Sequence, residues 1–381
     1  MTRPAADDSQ HERGLRAARE ARGWTQDAAV RQFRAVAQKL NIPVGEAQSV
    51  RTSLSRWENQ KRLPDSANRR ILRELYGRTD AEMGLAGGGV SESDDGDPDS
   101  LSARLRSVDR VDANLILLVA RRTHEFRLQD RQFGAAMMLD QMSAHIDTLK
   151  GMLSYTVMPA QRMALAQVLA DAGALAGWQA LDAGAVTRAW NYFDLARQAG
   201  LESGQVTLLA HAMGEQAYAL LDLGYPDRAA QLIDAAMSLG ELPPLLRAWL
   251  TAAQGEFLAA EGDASNSQRS FDRAQHLLQG DLQDDSLPFL ALDDVHLARW
   301  RGSALARLGS AEAIPELTVA LQRLDDAFVR ARCAIHTDLA LAFAQAGERE
   351  LARHNIRIAR ELALEVGSQR LLHRLNTIEL P

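Results

Sequence analysis

Apolar residues recur at intervals of three and four positions along most of the chain, which is the spacing of one face of an α-helix. Segment 101–128 predicts one long helix whose apolar face holds Leu101, Leu105, Val108, Val111, Leu115, Leu118 and Val119. Further helices are expected at about 131–153 and 160–183, with Pro159 near the start of the latter. No stretch alternates apolar and polar residues in the manner of a strand. The predicted fold is therefore all-α.

From about residue 166 the helices repeat. A glycine marks a turn in each of five units, at spacings of 40, 38, 47 and 38 residues: Gly184, Gly224, Gly262, Gly309 and Gly347. Seven residues earlier stand Gly177, Ala217, Gly255, Gly302 and Ala340. Twelve residues later stand Ala196, Ala236, Ala274, Leu321 and Ala359. Small residues at fixed offsets predict helices that cross closely at the same point of every unit.

The first 85 residues predict a separate bundle of short helices, at 11–23, 25–40, 49–60 and 66–77. Thr25 is expected to cap the second helix through its hydroxyl group. Glycines at the ends of the first and fourth helices act as stop signals. The expected core of this bundle contains Trp24, Leu54, Trp57, Ile71, Leu72 and Leu75.

Charge divides the chain in the same place. Residues 1–85 carry 16 Lys and Arg against 11 Asp and Glu, a net charge of +5, whereas the whole chain carries -7. Between the two parts, segment 86–100 (AGGGVSESDDGDPDS) predicts a flexible linker, because it has too little apolar surface to form a core. A basic first part on an acidic body suggests that only the first part meets a polyanion.

Compartment and chemistry can also be predicted. Cys333 is the only cysteine, so no internal disulfide is possible and a reducing compartment is expected. No apolar run has the length of a membrane span, and the N-terminus has no signal-peptide pattern, so we expect a cytoplasmic protein without membrane contact. Motifs for zinc hydrolysis, phosphate-binding loops and nucleophile elbows are absent. We therefore expect no enzyme, no cofactor and no metal site.

The repeating units resemble the tetratricopeptide repeat. Segments 174–196 and 214–236 match its pattern of small residues well, whereas the third unit has Ser267 where the first two have Ala189 and Ala229, and the fourth has Ile314. The resemblance implies an α-solenoid with a concave face for a peptide, a small molecule or a partner protein. The resulting division is 1–85 as the basic helical bundle, 86–100 as the linker, 101–165 as a helical connector and candidate dimerisation segment, and 166–381 as the repeat domain, the expected sensor.

Each repeat consists of two helices, and the first of them is expected to face the concave surface. Residues on that surface are expected near the small residue of this first helix, six residues before it and one after. They include Trp178, His211, Tyr218, Trp249, Glu256, His296 and Arg299. Aromatic rings there could stack on a ligand while Glu256 and Arg299 supply charged hydrogen bonds. The alternative is that these side chains only pack between neighbouring helices, and for Trp178 and Trp249 this alternative is slightly favoured.

The string REARGWTQ…TSLSRWENQKRLPD in the first part resembles a Cro-repressor-type (XRE family) helix-turn-helix domain. The combination with a repeat domain is similar to that of actinobacterial regulators. Carried over by position, the resemblance implies that one short helix reads base edges and that its neighbours contact phosphates. The implied base-reading residues are Arg51, Thr52, Ser55 and Arg56, and the implied phosphate contacts are Gln26, Asn59 and Lys61, with Arg62 in the same basic stretch.

Two further residues, Arg19 and Glu58, match a structural ion pair of that family, and Leu54 and Trp57 would be core. The chain departs from the family at RAVAQKLNIPVGEAQ, which lengthens the connection between the second and third helices and leaves the role of Gln26 open. The favoured function is a homodimeric transcriptional regulator, a repressor or an activator, that binds a double-stranded DNA operator and responds to an effector. The alternative is a protein-interaction adaptor whose first part binds nucleic acid weakly or not at all.

Overall fold

A computed structural model describes residues 14–40, 42, 44–45, 47–59, 64–80, 82–85, 101–102, 111–135, 137–279 and 287–380. Within these ranges every regular element is a helix, as the sequence predicts, and no strand occurs. The chain divides into two compact units, Met1–Leu101 and Ser102–Pro381. The predicted linker at 86–100 lies outside the described residues.

The described residues of the first unit form four helices. They are α1 (Leu15–Glu20), α2 (Gln26–Lys39), α3 (Ala47–Glu58) and α4 (Ser66–Tyr76). The expected cap of α2 is confirmed, because the Thr25 hydroxyl accepts a hydrogen bond from the Ala28 amide at 3.2 Å. Gly77 follows α4 in the left-handed conformation, with φ of 63°, which confirms it as a stop signal.

The core of the first unit forms where the four helices meet. Leu54, Ile71 and Leu72 are almost completely buried, and the rings of Phe33 and Trp57 lie 5.9 Å apart. Trp24 is only partly buried and packs at the edge of this core. The predicted anchoring residues therefore do hold α3 and α4 against the bundle.

The second unit contains thirteen helices in the part of it that is described. They are α5 (Ala113–Phe133), α6 (Leu139–Tyr155), α7 (Pro159–Asp182), α8 (Val186–Ser203), α9 (Val206–Asp222), α10 (Pro226–Met237), α11 (Pro244–Ala260), α12 (Ala264–Leu277), α13 (Asp294–Arg307), α14 (Ala313–Arg323), α15 (Val329–Gln345), α16 (Arg349–Glu365) and α17 (Gln369–Asn376). From α7 to α16 they form successive antiparallel pairs, and the first helices of neighbouring pairs contact each other. The arrangement is solenoid-like.

The prediction of one helix through 101–128 is wrong. Helix α5 begins only at Ala113, because the Asp112 carboxylate accepts a hydrogen bond from the Leu115 amide at 2.8 Å and caps the first turn. Its buried face holds Val119 and Phe126, whereas Leu118 is exposed. Two other residues of the predicted apolar face, Leu105 and Val108, lie outside the described residues.

All five marker glycines occupy the turns between paired helices. Their φ values lie between 72° and 83°, a left-handed conformation that glycine adopts without steric cost. The predicted close crossing is also confirmed: a Cβ atom at Gly255 would lie 2.8 Å from the Phe271 ring, and one at Gly302 would lie 2.6 Å from Leu317. Only a residue without a side chain fits at these positions.

In the fourth repeat, whose turn glycine is Gly309, the buried positions differ from the predicted ones. Its second helix, α14, starts four residues after Gly309, whereas α8, α10, α12 and α16 each start two residues after their glycine. The buried positions move one residue earlier as a result, so Ala313 and Ala320 pack inward while Ile314 and Leu321 are only half-buried. The small residue of this unit is therefore Ala320, and Leu321 is not an exception to the pattern.

The second unit closes on itself. The last helix, α17, contacts α7, and α15 contacts α5. The Ser368 hydroxyl donates a hydrogen bond of 2.6 Å to the Asp182 carboxylate, and Gly134 packs so closely on the Val366 carbonyl group that no side chain would fit there. The first and last helices of the second unit thus meet, and its inner helices surround a central cavity.

Candidate functional site

The central cavity of the second unit has a volume of about 260 Å³. The first helices of the pairs line it, together with α5 and α17. All seven residues that the sequence places on the concave face line this cavity: Trp178, His211, Tyr218, Trp249, Glu256, His296 and Arg299. The structure thus brings these side chains together in one space, and their role in binding remains a prediction.

Aromatic rings form one wall of the cavity around Tyr218. Its ring centroid lies 5.9 Å from that of Trp178, 5.1 Å from Phe257 and 6.3 Å from Trp300, each in an edge-to-face arrangement. Trp249 extends the cluster, with its centroid 6.1 Å from that of Trp300. Such interlocked rings hold one another in place and present flat apolar surface to the cavity.

A buried hydrogen bond lies beside these rings. The Tyr218 hydroxyl donates to the Glu256 carboxylate at 2.6 Å. Desolvation raises the pKa of Glu256, and it outweighs the opposing effects of this hydrogen bond and of the nearby positive charge of Arg299. Desolvation also raises the pKa of Tyr218 well above its ordinary value. Tyr218 therefore stays protonated and remains a hydrogen-bond donor.

Arginines form a second group around the cavity, and four of them are paired. Arg330 binds Asp130 at 2.9 and 3.0 Å and Asp182 at 2.9 Å, so one guanidinium group joins helices α5, α7 and α15. Arg370 binds Asp222 at 2.5 and 2.8 Å and lies 5.4 Å above the Trp178 ring. The other two pairs are Arg127 with Asp171 and Arg374 with Asp338. These pairs hold the closed ring together.

Three further arginines of the cavity lack a carboxylate partner. Arg131, Arg299 and Arg307 line it and make no ion pair or hydrogen bond with any residue that the structure describes. The Nε atom of Arg299 is completely buried. Desolvation lowers the pKa of all three, and for Arg299 the charges of Glu256 and Asp338 partly oppose it. These three guanidinium groups therefore have no direct carboxylate contact, although Glu256 and Asp338 lie near enough to Arg299 to offset part of its charge.

Both predicted histidines pack against aromatic rings, and only His296 makes a hydrogen bond through its ring. His296 Nδ1 lies 2.8 Å from the Asp293 carboxylate at the start of α13, and its ring packs edge-on against Phe328. His211 packs against Phe289 at 4.3 Å between ring centroids, and its Nε2 atom lies 3.5 Å from Glu215. Both rings line the cavity mainly as part of its apolar wall.

Sequence reasoning missed several residues of the cavity. Asp171, Ser303 and Ala334 follow the same offset rule as the predicted set and could have been included. The position two residues before the small residue of a first helix also faces the cavity in four repeats, and a rule for it would have identified Leu175, Glu215, Trp300 and Asp338 as lining residues. Arg330, Arg370 and Arg374 reach the cavity because the ring closes, and no local sequence pattern announces that closure.

The second candidate site is the outer face of α3 in the first unit. Arg51, Thr52, Arg56 and Asn59 are exposed there and Ser55 is half-buried, whereas Leu54 and Trp57 face the core. Arg51 pairs with the exposed Asp27 carboxylate of α2 at 3.1 Å. The helix therefore has one anchored apolar side and one accessible side that carries two arginines.

Local contacts position the other predicted residues of this unit. Arg19 binds Glu58 at 2.6 and 3.1 Å, which confirms the predicted ion pair, and also donates to the Trp24 carbonyl oxygen. Gln26 donates to the same Glu58 carboxylate at 3.4 Å. The Asn59 amide donates to the Ser55 carbonyl oxygen at 2.7 Å. Lys61 and Arg62 lie outside the described residues.

In the described ranges, no group of three or more His, Cys, Asp or Glu side chains is placed to hold a metal ion, and no helix has the length and apolar character needed to cross a bilayer. The Cys333 thiol is buried and donates to the Ala359 carbonyl oxygen, and desolvation raises its pKa to about 12.

A scan of known protein families, a search of curated proteins and a search of solved structures each give no match to this chain.

Proposed function

We propose that the chain is a transcriptional regulator that binds a specific DNA operator through its first unit and senses an effector in the cavity of its second unit. In this proposal the first unit is a helix-turn-helix domain of the XRE type, and the second is a sensor built from tetratricopeptide-like repeats. The protein acts in the cytoplasm as a homodimer, without catalysis and without a cofactor.

The outer face of α3 is the observation that carries the DNA-binding part. An arginine can donate two hydrogen bonds to the O6 and N7 atoms of guanine, provided that its guanidinium group is accessible and its helix is fixed. Arg51 and Arg56 are accessible, and Trp57 and the Arg19–Glu58 pair fix the helix from behind. The net charge of +5 over residues 1–85 favours attraction to phosphates.

The closed ring supports the sensing part. Its cavity is lined by aromatic rings and by arginines without partners, and small-molecule sites typically combine apolar walls with a few polar groups. Occupying this space can favour one arrangement of the inner helices over another, which is the physical requirement for a ligand to shift an equilibrium. A change in the second unit would then alter the separation of two DNA-binding units in a dimer.

An exposed apolar stripe on α5 supports the homodimer. Leu117 and Leu128 are eleven residues apart and therefore lie on the same helical face, and Leu118 is exposed beside them. Two half-sites one helical turn apart, about 34–36 Å, would need two copies of the first unit held at a fixed distance. A Leu117→Glu variant should be a monomer in size-exclusion chromatography with light scattering. It should also bind an operator with two half-sites less tightly than the unchanged dimer does.

Selection of bound fragments from genomic DNA, followed by mobility-shift assays, tests the proposal. We expect the full chain to enrich a common sequence with two related half-sites and to bind it at two salt concentrations. Absence of any sequence preference at both salt concentrations would refute the regulator and favour the adaptor, whose first unit contributes little to nucleic-acid binding.

A further inference from the structure

Helix α13 places an aromatic ring and an unpaired cation next to each other in the cavity. Arg299 and Trp300 are consecutive, and the guanidinium carbon of Arg299 lies 5.8 Å from the Trp300 ring centroid. Arg307 lies two turns further along on the same side as Arg299. One helix thus offers both an apolar surface and positive charge to the same space.

The charges around this point are unequal. Arg370 and Arg374 are held by Asp222 and Asp338, and Glu256 accepts the Tyr218 hydrogen bond. Arg299 has no such partner, although protein atoms surround it and its Nε atom is buried. Arg299 is half-buried, so its cation is partly desolvated without a direct partner, and an incoming anion would offset that cost. This part of the cavity is therefore suited to a ligand with a negative charge.

The geometry of arginine favours an anion with two oxygen atoms. A planar guanidinium group donates two parallel hydrogen bonds to a carboxylate, and these bonds are stronger than those between neutral groups. The neighbouring rings of Trp249, Trp300 and Tyr218, with centroids 6.1 to 6.4 Å apart, offer edges and faces to a flat apolar body. The ligand should therefore contain an aromatic ring close to its carboxylate.

The size of the cavity limits the ligand further. Its volume of about 260 Å³ is slightly below the usual range for small-molecule sites, about 300–1,000 Å³. A long peptide would need an open groove, whereas here the first and last helices of the ring meet. The occupant should be a small molecule.

We propose that the effector is a small aromatic carboxylate whose ring contacts Trp249, Trp300 and Tyr218 and whose carboxylate is bound by Arg299, with Arg307 adding to the positive potential. The inference deepens the proposed sensor and rests on it for its regulatory meaning. Binding itself needs only the second unit and can be measured without DNA.

Isothermal titration calorimetry of the full chain tests this inference with matched probes. The probes are benzoate, indole-3-acetate and naphthalene-2-carboxylate as acids, naphthalene-2-carboxamide as the neutral partner of the last, and cyclohexanecarboxylate as an acid without a flat ring. We expect at least one aromatic acid to bind. The affinity of the amide should be at least about tenfold lower than that of its acid, and cyclohexanecarboxylate should bind more weakly than benzoate.

Three variants separate the effect of the Arg299 cation from that of positive charge elsewhere on the protein. Arg299→Gln should reduce the affinity for the acid about tenfold or more and leave the affinity for the amide unchanged. Arg273→Gln removes the same charge from the exposed face of α12 and should change neither. Arg299→Lys keeps the charge and loses the paired hydrogen bonds, so it should bind the acid with intermediate affinity. Circular dichroism melting shows which variants are folded.

Each outcome gives a clear decision. Failure of all three aromatic acids to bind at millimolar concentration overturns the inference, as does equal binding of acid and amide, or binding of a peptide ending in phenylalanine where the acids fail. The DNA selection described above uses the same protein without any acid. A chain that selects an operator but binds none of the acids would refute the ligand class and leave the regulator intact.

Discussion

The two units of this protein use arginine in opposite ways. On α3 of the first unit, Arg51 and Arg56 lie on the outer face, and 48% of the Arg51 side chain is exposed. In the second unit, Arg330 and Arg374 turn inward and pair with carboxylates that are themselves buried, those of Asp130 and Asp338. The same kind of side chain thus faces solvent on α3 and joins helices around the cavity.

The difference shows that arginine content alone does not indicate a nucleic-acid surface. A guanidinium group can contact a duplex only where it is accessible, and a buried one is committed to its carboxylates. Arg19 is the exception in the first unit, since 11% of its side chain is exposed and Glu58 holds it. The comparison therefore predicts two classes of arginine variants, those that lose stability and those that lose DNA binding.

The largest effect is expected for Arg330→Met. This change leaves Asp130 and Asp182 buried without their cation, and breaking a buried pair in this way costs about 3–5 kcal/mol. Urea denaturation followed by tryptophan fluorescence should show a much lower midpoint for the second unit. DNA binding by the folded fraction at low temperature should be retained.

A matched exposed pair provides the control. Arg353→Met removes an ion pair with Glu350 in which 48% and 83% of the side chains are exposed, and it should cost less than about 1 kcal/mol. Equal destabilisation by the two variants would show that the ring is not held by its buried pairs.

The second largest effect is expected for Arg19→Met in the first unit. Only 2% of the Glu58 side chain is exposed, so the change leaves a buried carboxylate unpaired and should destabilise the unit by about 3 kcal/mol. Its neighbour gives the comparison: Arg16→Met removes an exposed pair with Glu20 on the same helix and should cost under about 0.5 kcal/mol. Thermal melting by circular dichroism measures both. A first unit that melts at the same temperature in both variants would contradict a positioning role for Arg19.

The concave face could be predicted because it follows from local periodicity. A small residue marks where two helices cross, and fixed offsets from it point to the inner side, which placed Tyr218, Trp249 and Glu256 at the cavity. The partners of the inward arginines could not be predicted in this way. Arg330 and Asp130 are 200 residues apart and meet only because the last helices contact the first.

Two errors in the fold also have local causes. The apolar spacing through 101–128 suggested a continuous helix, but Asp112 is a strong cap and starts α5 at that point. In the fourth unit the turn after Gly309 is longer, so Ala320 takes the place expected for Leu321. Periodicity identifies helical faces well, whereas caps and turn lengths decide their register.

The third prediction concerns the outward arginines. If α3 reads base edges as proposed, Arg56→Ala should weaken binding to the selected operator by about 1–3 kcal/mol and reduce sequence preference, with no loss of stability. Arg70→Ala removes the same charge from an exposed position on α4 and serves as the control. Lys61→Ala, by contrast, should weaken binding to all sequences equally and flatten the salt dependence. Mobility-shift titrations on the operator and on a scrambled duplex measure all three. An Arg56→Ala variant with unchanged preference would remove α3 as the base-reading helix.

The smallest effect is expected for Asp27→Asn, which removes the exposed carboxylate that pairs with Arg51 at 3.1 Å. In the free protein Arg51 must leave this partner before it can contact a base, and an exposed ion pair stabilises by less than about 1 kcal/mol. Operator affinity should therefore rise about two- to fivefold at low salt, and the gain should shrink as salt screens the pair. A double-mutant cycle identifies the cause, because in an Arg51→Ala background the gain should disappear. If the gain persists there, Asp27 acts by repelling phosphates and not by holding Arg51, and Arg51 is then as free before DNA binding as Arg56 is.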